Sequence, residues 1–382
     1  MRIDLFELER NQSIWENTVK YNLTESGLHP FTLREILSSE EIEYLLDLPL
    51  GYGHTEGEPA LRAAIAALHP GASTENVLVT TGSSEANMLT VMSTLEAGDE
   101  AVIVTPTFMQ APGLAKALGA SVHLCPLRLD RDRWFIDFDE LRRLVNSRTR
   151  LISLCNPNNP TGSILGDAER ATLIALCAER DIHLHSDEIY RGTELMGDEI
   201  MTLHGAAPKT IVTGGTAKGM ALAGLRIGWM VAPEAVIEKA MRHQDYTTIG
   251  SNIPGQRVAL HALQPERRTG ILKRNRDVLA RNLGQMRQWI EGRSDIFSWV
   301  PPQAGAMAFL RYQLPDASEA LCRKLRERKS VFLVAGAWFG MENHLRFGIG
   351  SEADALREAL QLIDDFLAEE YGVKPRSLAA AV

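Results

Sequence analysis

Cysteine is scarce in this chain of 382 residues: Cys125, Cys155, Cys177 and Cys322 are widely spaced, with no CxxC pair and no His/Cys cluster at metal-ligand spacing. That argues against a disulfide scaffold and a metal site, and leaves buried thiols in a reducing compartment. Positive charge is also short, with a formal net charge of -9, so neither nucleic acid nor an anionic membrane surface is an expected partner. No apolar run approaches bilayer-crossing length. The opening MRIDLFELERN interrupts its apolar residues with charges and offers no signal-peptide core. The expected location is the cytoplasm. Internal repeats and low-complexity tracts are lacking too. What remains, 45% hydrophobic and 23% charged residues, is the composition of a globular protein long enough for two domains.

Residues 1–40 read as an arm packing with a small domain, 41–279 as a large domain, 280–372 as the small domain and 373–382 as a tail. One helix is expected from about Leu33 to Leu46. From Asn76 the pattern alternates strand and helix. The candidate strands are Val77 to Thr81, Ala101 to Thr105, Ser121 to Cys125, Leu151 to Cys155, His183 to Asp187, Thr210 to Thr213 and Arg226 to Val231. This grammar predicts an α/β fold: a mainly parallel seven-stranded sheet covered by helices, followed by a smaller α+β domain. Ligands gather at the carboxyl ends of such strands.

Candidate chemistry lies at those ends. Lys218 sits in TGGTAKGMALAGLRIGW, a run of small and apolar residues with Arg226 eight residues on. Partial desolvation there favours a neutral amine able to attack a carbonyl; a solvated loop lysine is the plain alternative. Gly82-Ser83-Ser84-Glu85-Ala86 follows a strand and opens a helix, which makes either an anion cup or an ordinary N-cap. Phe108 follows the next strand and could stack on a flat ring or sit in the core. In Asn156-Pro-Asn-Asn-Pro-Thr-Gly162 two prolines stiffen a turn that presents Asn159 in a set direction. Asp187, in SDEIY, ends an otherwise buried strand, where a carboxylate is costly without a cation such as a protonated pyridine nitrogen.

GSSEA, NPNNPTG, SDEIY, the Lys218 segment and HLRFG, in that order, resemble the fold type I pyridoxal-phosphate enzymes of the class I/II aminotransferase superfamily, over nearly the whole chain. The resemblance implies pyridoxal 5'-phosphate held as a Schiff base by Lys218, which later moves the substrate α-proton. It places Asp187 at the pyridine nitrogen, Asn159 and Tyr190 at the ring oxygen, and Phe108 on the ring face. Ser83, Ser84 and Arg226 are implied at the phosphate, and Arg346 at the substrate carboxylate. Tyr52 matches a tyrosine that reaches the phosphate of a neighbouring subunit, which implies a homodimer with shared sites. Where many relatives carry two serines before the lysine, this chain has Gly215 and Ala217, with Thr216 a candidate replacement.

The arm sequence NLTESGLH, with Gly27 and His29, is similar to that of the capreomycidine synthase-like branch. That implies substrate contacts from Gly27 and His29; a packing histidine is the competing reading. Glu7 and Glu9 read either as partners for a cationic side chain or as a solvated helix face. An aminotransferase acting on an L-amino acid is the leading expectation. A β/γ-elimination or cyclisation enzyme is the second, and a non-catalytic cofactor-binding sensor the third, disfavoured because no DNA-binding module is evident.

Overall fold

The computed structural model describes residues 2–373; of the expected tail, all but Val373 lies outside them. Eight strands form the large sheet: β1 (Val77–Thr80), β2 (Glu100–Thr105), β3 (Ser121–Asp130), β4 (Arg133–Ile136), β5 (Thr149–Cys155), β6 (His183–Asp187), β7 (Thr210–Gly215) and β8 (Gly228–Val231). Their spatial order is β1-β8-β7-β6-β5-β2-β3-β4. The central strands are parallel, and β8 lies antiparallel between β1 and β7. The seven expected strands are all present and an eighth is added. β3 runs on to Asp130 and folds back antiparallel as β4. Its turn places Arg131 in the left-handed region (φ 53°), with no glycine or asparagine to announce a hairpin.

Helices cover both faces, so β2 and β7 are buried at every residue. Alternation along the strands separates two cores: Leu78 and Met230 pack on one face, Val77, Val79, Trp229 and Val231 on the other.

The smaller α+β domain has an antiparallel sheet of β9 (Phe297–Trp299), β10 (Met307–Tyr312), β11 (Val334–Ala335) and β12 (His344–Gly348), in the order β9-β10-β12-β11. A 27-residue helix, Pro265–Glu291, ties the two parts together through buried asparagines. Asn275 Nδ2 donates to Gly219 O beside Lys218 (2.9 Å), and Asn282 Nδ2 donates to Ile349 O (2.8 Å).

The arm is stitched to the small domain. Tyr21–Asn22 pairs parallel with Val331–Phe332, and Leu23 receives a hydrogen bond from the Gly348 N–H (2.6 Å). Tyr21, Leu23 and Leu28 lie in that domain's core. The helix expected from Leu33 to Leu46 is instead two, Leu33–Ile36 and Ser39–Leu46. Ser38 and Glu41 form a reciprocal capping box there (Glu41 N–H to Ser38 Oγ, 3.3 Å; Ser38 N–H to Glu41 Oε2, 2.8 Å), which starts a new helix rather than continuing the old one.

Candidate active site

The carboxyl ends of β1, β2, β5, β6 and β7 face a cavity of about 330 Å³, closed on its other side by the arm. At its floor, β1 turns through Gly82 into a helix, Ser83–Thr94, whose first two residues line the cavity. Gly82 has φ 80°, and a Cβ there would lie 2.5 Å from Arg226 Nη2. The absent side chain is what lets the guanidinium lie over the turn. The Glu85 amide bonds back to Gly82 O (3.2 Å), leaving the Ser83 and Ser84 N–H groups at the helix N-terminus for an anion. Gly228 is equally constrained, since a Cβ on it would meet Gly82 C and Ser83 N at 2.3 Å. Gly228→Ala should therefore push the cup open, destabilise the fold by about 1–3 kcal/mol and weaken binding of a phosphate-bearing ligand, as read by thermal unfolding and by titration.

Asp187 is held at the centre. Asn87 Nδ2 donates to its Oδ2 (2.9 Å) and the Ile189 N–H to its Oδ1 (3.1 Å). Burial pushes its carboxyl up to about 6, opposed by these bonds and by the charge of Lys218. A buried carboxylate so placed is a receptor for a cation at the cavity. Asn87 is oriented in turn by Thr213 Oγ1 (2.6 Å), which meets His185 Nε2 (3.0 Å), whose Nδ1 meets Ser153 Oγ (2.9 Å). Burial carries the His185 imidazole down to about 4, so this buried rail is neutral near pH 7.

The asparagines of NPNNPTG divide the labour. Asn156 Oδ1 accepts from the Leu165 N–H (2.9 Å), and Asn158 bonds Thr161 (2.7 Å between Oδ1 and Oγ1) and Pro106 O (3.1 Å), so both hold loops. Asn159 lines the cavity; its Oδ1 accepts from Arg346 Nη1 (2.8 Å), which leaves its amide N–H groups to offer. Arg346 is 1% exposed. Its Nη2 donates to Thr24 O (2.5 Å), while its Nε is buried without a partner.

Lys218 Nζ donates to Glu25 Oε1 at 2.5 Å, and the same oxygen accepts from the Gly27 N–H at 2.7 Å. The Glu25 side chain keeps 46% of its surface exposed; partial loss of hydration would raise its carboxyl, but the charge and hydrogen bond of Lys218 and the Gly27 N–H outweigh it and bring it to about 2. Tyr190 OH donates to Ser26 Oγ (2.8 Å); burial, the largest influence on its phenol, pushes it well above the ordinary range. The first arm helix, Glu7–Trp15, is anchored by buried Leu8 against Phe309, Val334 and Phe339. Leu8, Glu9, Gln12, Ser13 and Glu16 face the cavity, at the spacing of one helical side. Gln12 Nε2 ties this helix to Thr24 O (3.0 Å). Phe108 also lines the cavity, its ring 4.8 Å from that of Phe6.

Ser83, Ser84, Phe108, Asn159, Asp187, Tyr190, Lys218, Arg226 and Arg346 thus meet around one space. Four other candidates do not line it. Thr216 supplies no hydroxyl there: it is fully buried, its Oγ1 bonded to Leu222 O (3.3 Å) and Ile227 O (3.2 Å). His29 is directed elsewhere, its Nε2 3.1 Å from Glu352 Oε1. Gly27 lies behind Lys218, where a Cβ would sit 3.2 Å from Lys218 Cδ. Tyr52 is 93% exposed on the outer surface. Sequence reasoning missed Glu25, Ser26, Gln12, Glu16 and Asn87. Only Asn87 carried a usable signal, one helical turn beyond Ser83 on the same face.

The pattern of the family described as aminotransferase class I and II matches residues 41–363, and the chain belongs to that family. Among curated relatives it is 29% identical to capreomycidine synthase of Streptomyces vinaceus, covering 94% of this chain and 91% of that protein. It is likewise 29% identical to arginine–pyruvate transaminase AruH of Pseudomonas aeruginosa, over 87% of this chain and 86% of that one. Among solved structures, a PLP-dependent aminotransferase from Streptococcus suis superposes with a TM-score of 0.90 at 29% identity, covering 97% of this chain and 99% of that one. The PLP-dependent cyclase OrfR gives 0.88 at 26%, covering 97% and 98%. The chain is a pyridoxal-phosphate enzyme of the aminotransferase and cyclase kind. The residues present fit that cofactor: a buried carboxylate wanting a cation, an anion cup under an arginine, an aromatic ring and a lysine amine border one cavity.

Proposed function

We propose that this enzyme removes the α-proton of an L-amino acid bearing a cationic side chain and a β-hydroxyl, and that the product arises by loss of that hydroxyl as water followed by ring closure. Bound pyridoxal phosphate supplies an electron sink for the pair left at the substrate α-carbon. Ser83, Ser84 and Arg226 would bind its phosphate, Asp187 its ring nitrogen, and Asn159 and Tyr190 its ring oxygen, with Phe108 against the ring. Arg346 would grip the substrate carboxylate through its unsatisfied edge, and Lys218 Nζ would take the proton. Cavity water is limited by the arm, which roofs the site.

The observation that carries the side-chain assignment is the acidic roof. Glu9 and Glu16 line the cavity, and among the described residues neither has an ion-pair partner. Glu9 is exposed at the cavity mouth, and partial loss of hydration there raises its carboxyl despite Lys218 and Arg346 nearby. A guanidinium or ammonium group would satisfy both carboxylates. Glu9→Gln and Glu16→Gln should each raise the half-saturation for α-hydrogen exchange of L-arginine by about 10- to 100-fold while leaving that of L-leucine within a factor of two. Equal effects on both amino acids would remove the assignment.

Ring closure is favoured by two relatives. The reading is supported by the similarity to capreomycidine synthase over 94% of this chain and to the cyclase OrfR over 97%. Transamination is the second reading, supported by the likeness to arginine–pyruvate transaminase. Mass spectrometry of arginine and hydroxyarginine with and without pyruvate separates them. A dehydrated, cyclic product formed without pyruvate supports ring closure, and a keto acid formed only with pyruvate supports transamination.

The assembly we propose is a homodimer in which Tyr52 reaches the partner's phosphate site; exposed Leu46, Leu50 and Tyr52 (73%, 85% and 93%) form an apolar surface suited to a second copy. No helix among the described residues is long and apolar enough to cross a membrane. Four buried free thiols support a cytoplasmic location.

A further inference from the structure

Three consecutive arm residues each engage a different reactive group. Thr24 O accepts from Arg346 Nη2 (2.5 Å), Glu25 Oε1 from Lys218 Nζ (2.5 Å) and Ser26 Oγ from Tyr190 OH (2.8 Å). The Glu25 carboxylate does not swing freely: the Gly27 N–H clamps the oxygen that meets Lys218 (2.7 Å). Gly27 allows this approach, because a Cβ would come within 3.2 Å of both Glu25 Oε1 and Lys218 Cδ. The segment itself is fastened on both sides, by Leu23 to Phe332 and Gly348 and by His29 N–H to Gly350 O (2.8 Å). Glu25 therefore faces Lys218 because the arm's seat puts it there.

We propose that Glu25 is a further catalytic residue, the fixed counter-ion of Lys218 when that lysine carries the substrate's α-proton. The step balances without any added reagent. The α-C–H bond breaks, its electron pair stays with the substrate, and the proton joins the neutral Lys218 amine. The resulting ammonium donates to the Glu25 carboxylate, which stays ionised. An opposite charge at hydrogen-bond distance favours the proton-bearing lysine and discourages immediate return of the proton to the same carbon. In the cofactor-free protein the same contact holds Lys218 Nζ away from an incoming aldehyde. The inference rests on the reading that Lys218 takes the α-proton; it does not depend on the substrate's side chain.

The test compares wild type, Glu25→Gln and Glu25→Asp. Glutamine keeps the size and loses the charge; aspartate keeps the charge and withdraws it by one methylene from Lys218. Proton NMR in D2O follows exchange of the α-hydrogen of L-arginine and of L-alanine, and absorbance follows the rate at which cofactor-free protein captures pyridoxal phosphate. Expected for Glu25→Gln are α-hydrogen exchange at least about tenfold slower, with unchanged half-saturation and melting temperature, and faster cofactor capture. Glu25→Asp should shift both rates in the same directions by a smaller factor. Exchange within twofold of wild type in Glu25→Gln, or a fall matched by an equal loss of substrate binding, would overturn the proposal. If wild type exchanges neither amino acid, the functional reading above fails instead. Glu25 is then judged on capture alone, where equal rates in wild type and Glu25→Gln overturn its pairing role.

Discussion

Lys218→Ala protein should retain no cofactor after borohydride reduction, and its turnover should fall by at least about 1,000-fold. Wild type should carry the reduced label on the peptide containing Lys218. The expected effect is large because no other amine can substitute. Among the described residues lining the cavity, the only other cations are Arg226 and Arg346, and guanidinium groups stay protonated and cannot serve as the base. The proposed phosphate cup and Asp187 remain in the variant, so it should still bind pyridoxal phosphate reversibly. Label recovered on a different peptide of the wild type would move the attachment point elsewhere and end the assignment.

Arg346→Ala should raise KM for L-amino acids by about 100- to 1,000-fold, with a smaller change in kcat. Its guanidinium is buried between Asn159 and Thr24; each Nη makes one of these bonds and keeps a second hydrogen, and Nε has no partner. Truncation removes the proposed carboxylate partner and leaves the Asn159 amide oxygen without its donor, while Thr24 O keeps its bond from Gln12 Nε2. Arg346→Lys should recover only part of the loss, since an ammonium cannot reproduce the planar two-pronged contact. Thermal unfolding separates binding from folding: equal KM in wild type and Arg346→Ala, with a lowered melting temperature, would reduce Arg346 to a structural role.

Much of the floor was legible because its chemistry sits in short local motifs. Gly82 to Ala86 reads as a cup because a strand meets a helix N-terminus there, and the backbone delivers this locally. Asp187 stood out as a carboxylate ending a buried strand. Thr216 illustrates the limit. It occupies a plausible position one residue from Ala217, yet its hydroxyl turns inward to Leu222 O and Ile227 O. A buried hydroxyl takes the nearest satisfied geometry, and sequence spacing does not say which side of the chain provides it.

The roof was far less legible. Glu25 and His29 lie four residues apart in one extended segment, and the sequence offers no local reason to prefer either. Packing chooses between them. A Cβ on Gly348 would lie 2.1 Å from Glu25 O, and one on Gly350 would lie 2.0 Å from Gly27 O. These two glycines let the arm backbone settle onto the end of β12 in one register. That register turns Glu25 toward Lys218 and His29 toward Glu352.

The sequence by itself determined the alternation that makes the sheet, the glycine and proline turns at its carboxyl edge, and the residue types able to hold a pyridine ring, a phosphate and a carboxylate. These follow from neighbours a few positions apart. Only the tertiary structure decided that a carboxylate 193 positions from Lys218 in the chain would face it at 2.5 Å, and that Glu9 and Glu16 would form an acidic ceiling. Those contacts depend on how the arm seats against the small domain, a long-range packing event that no local pattern encodes.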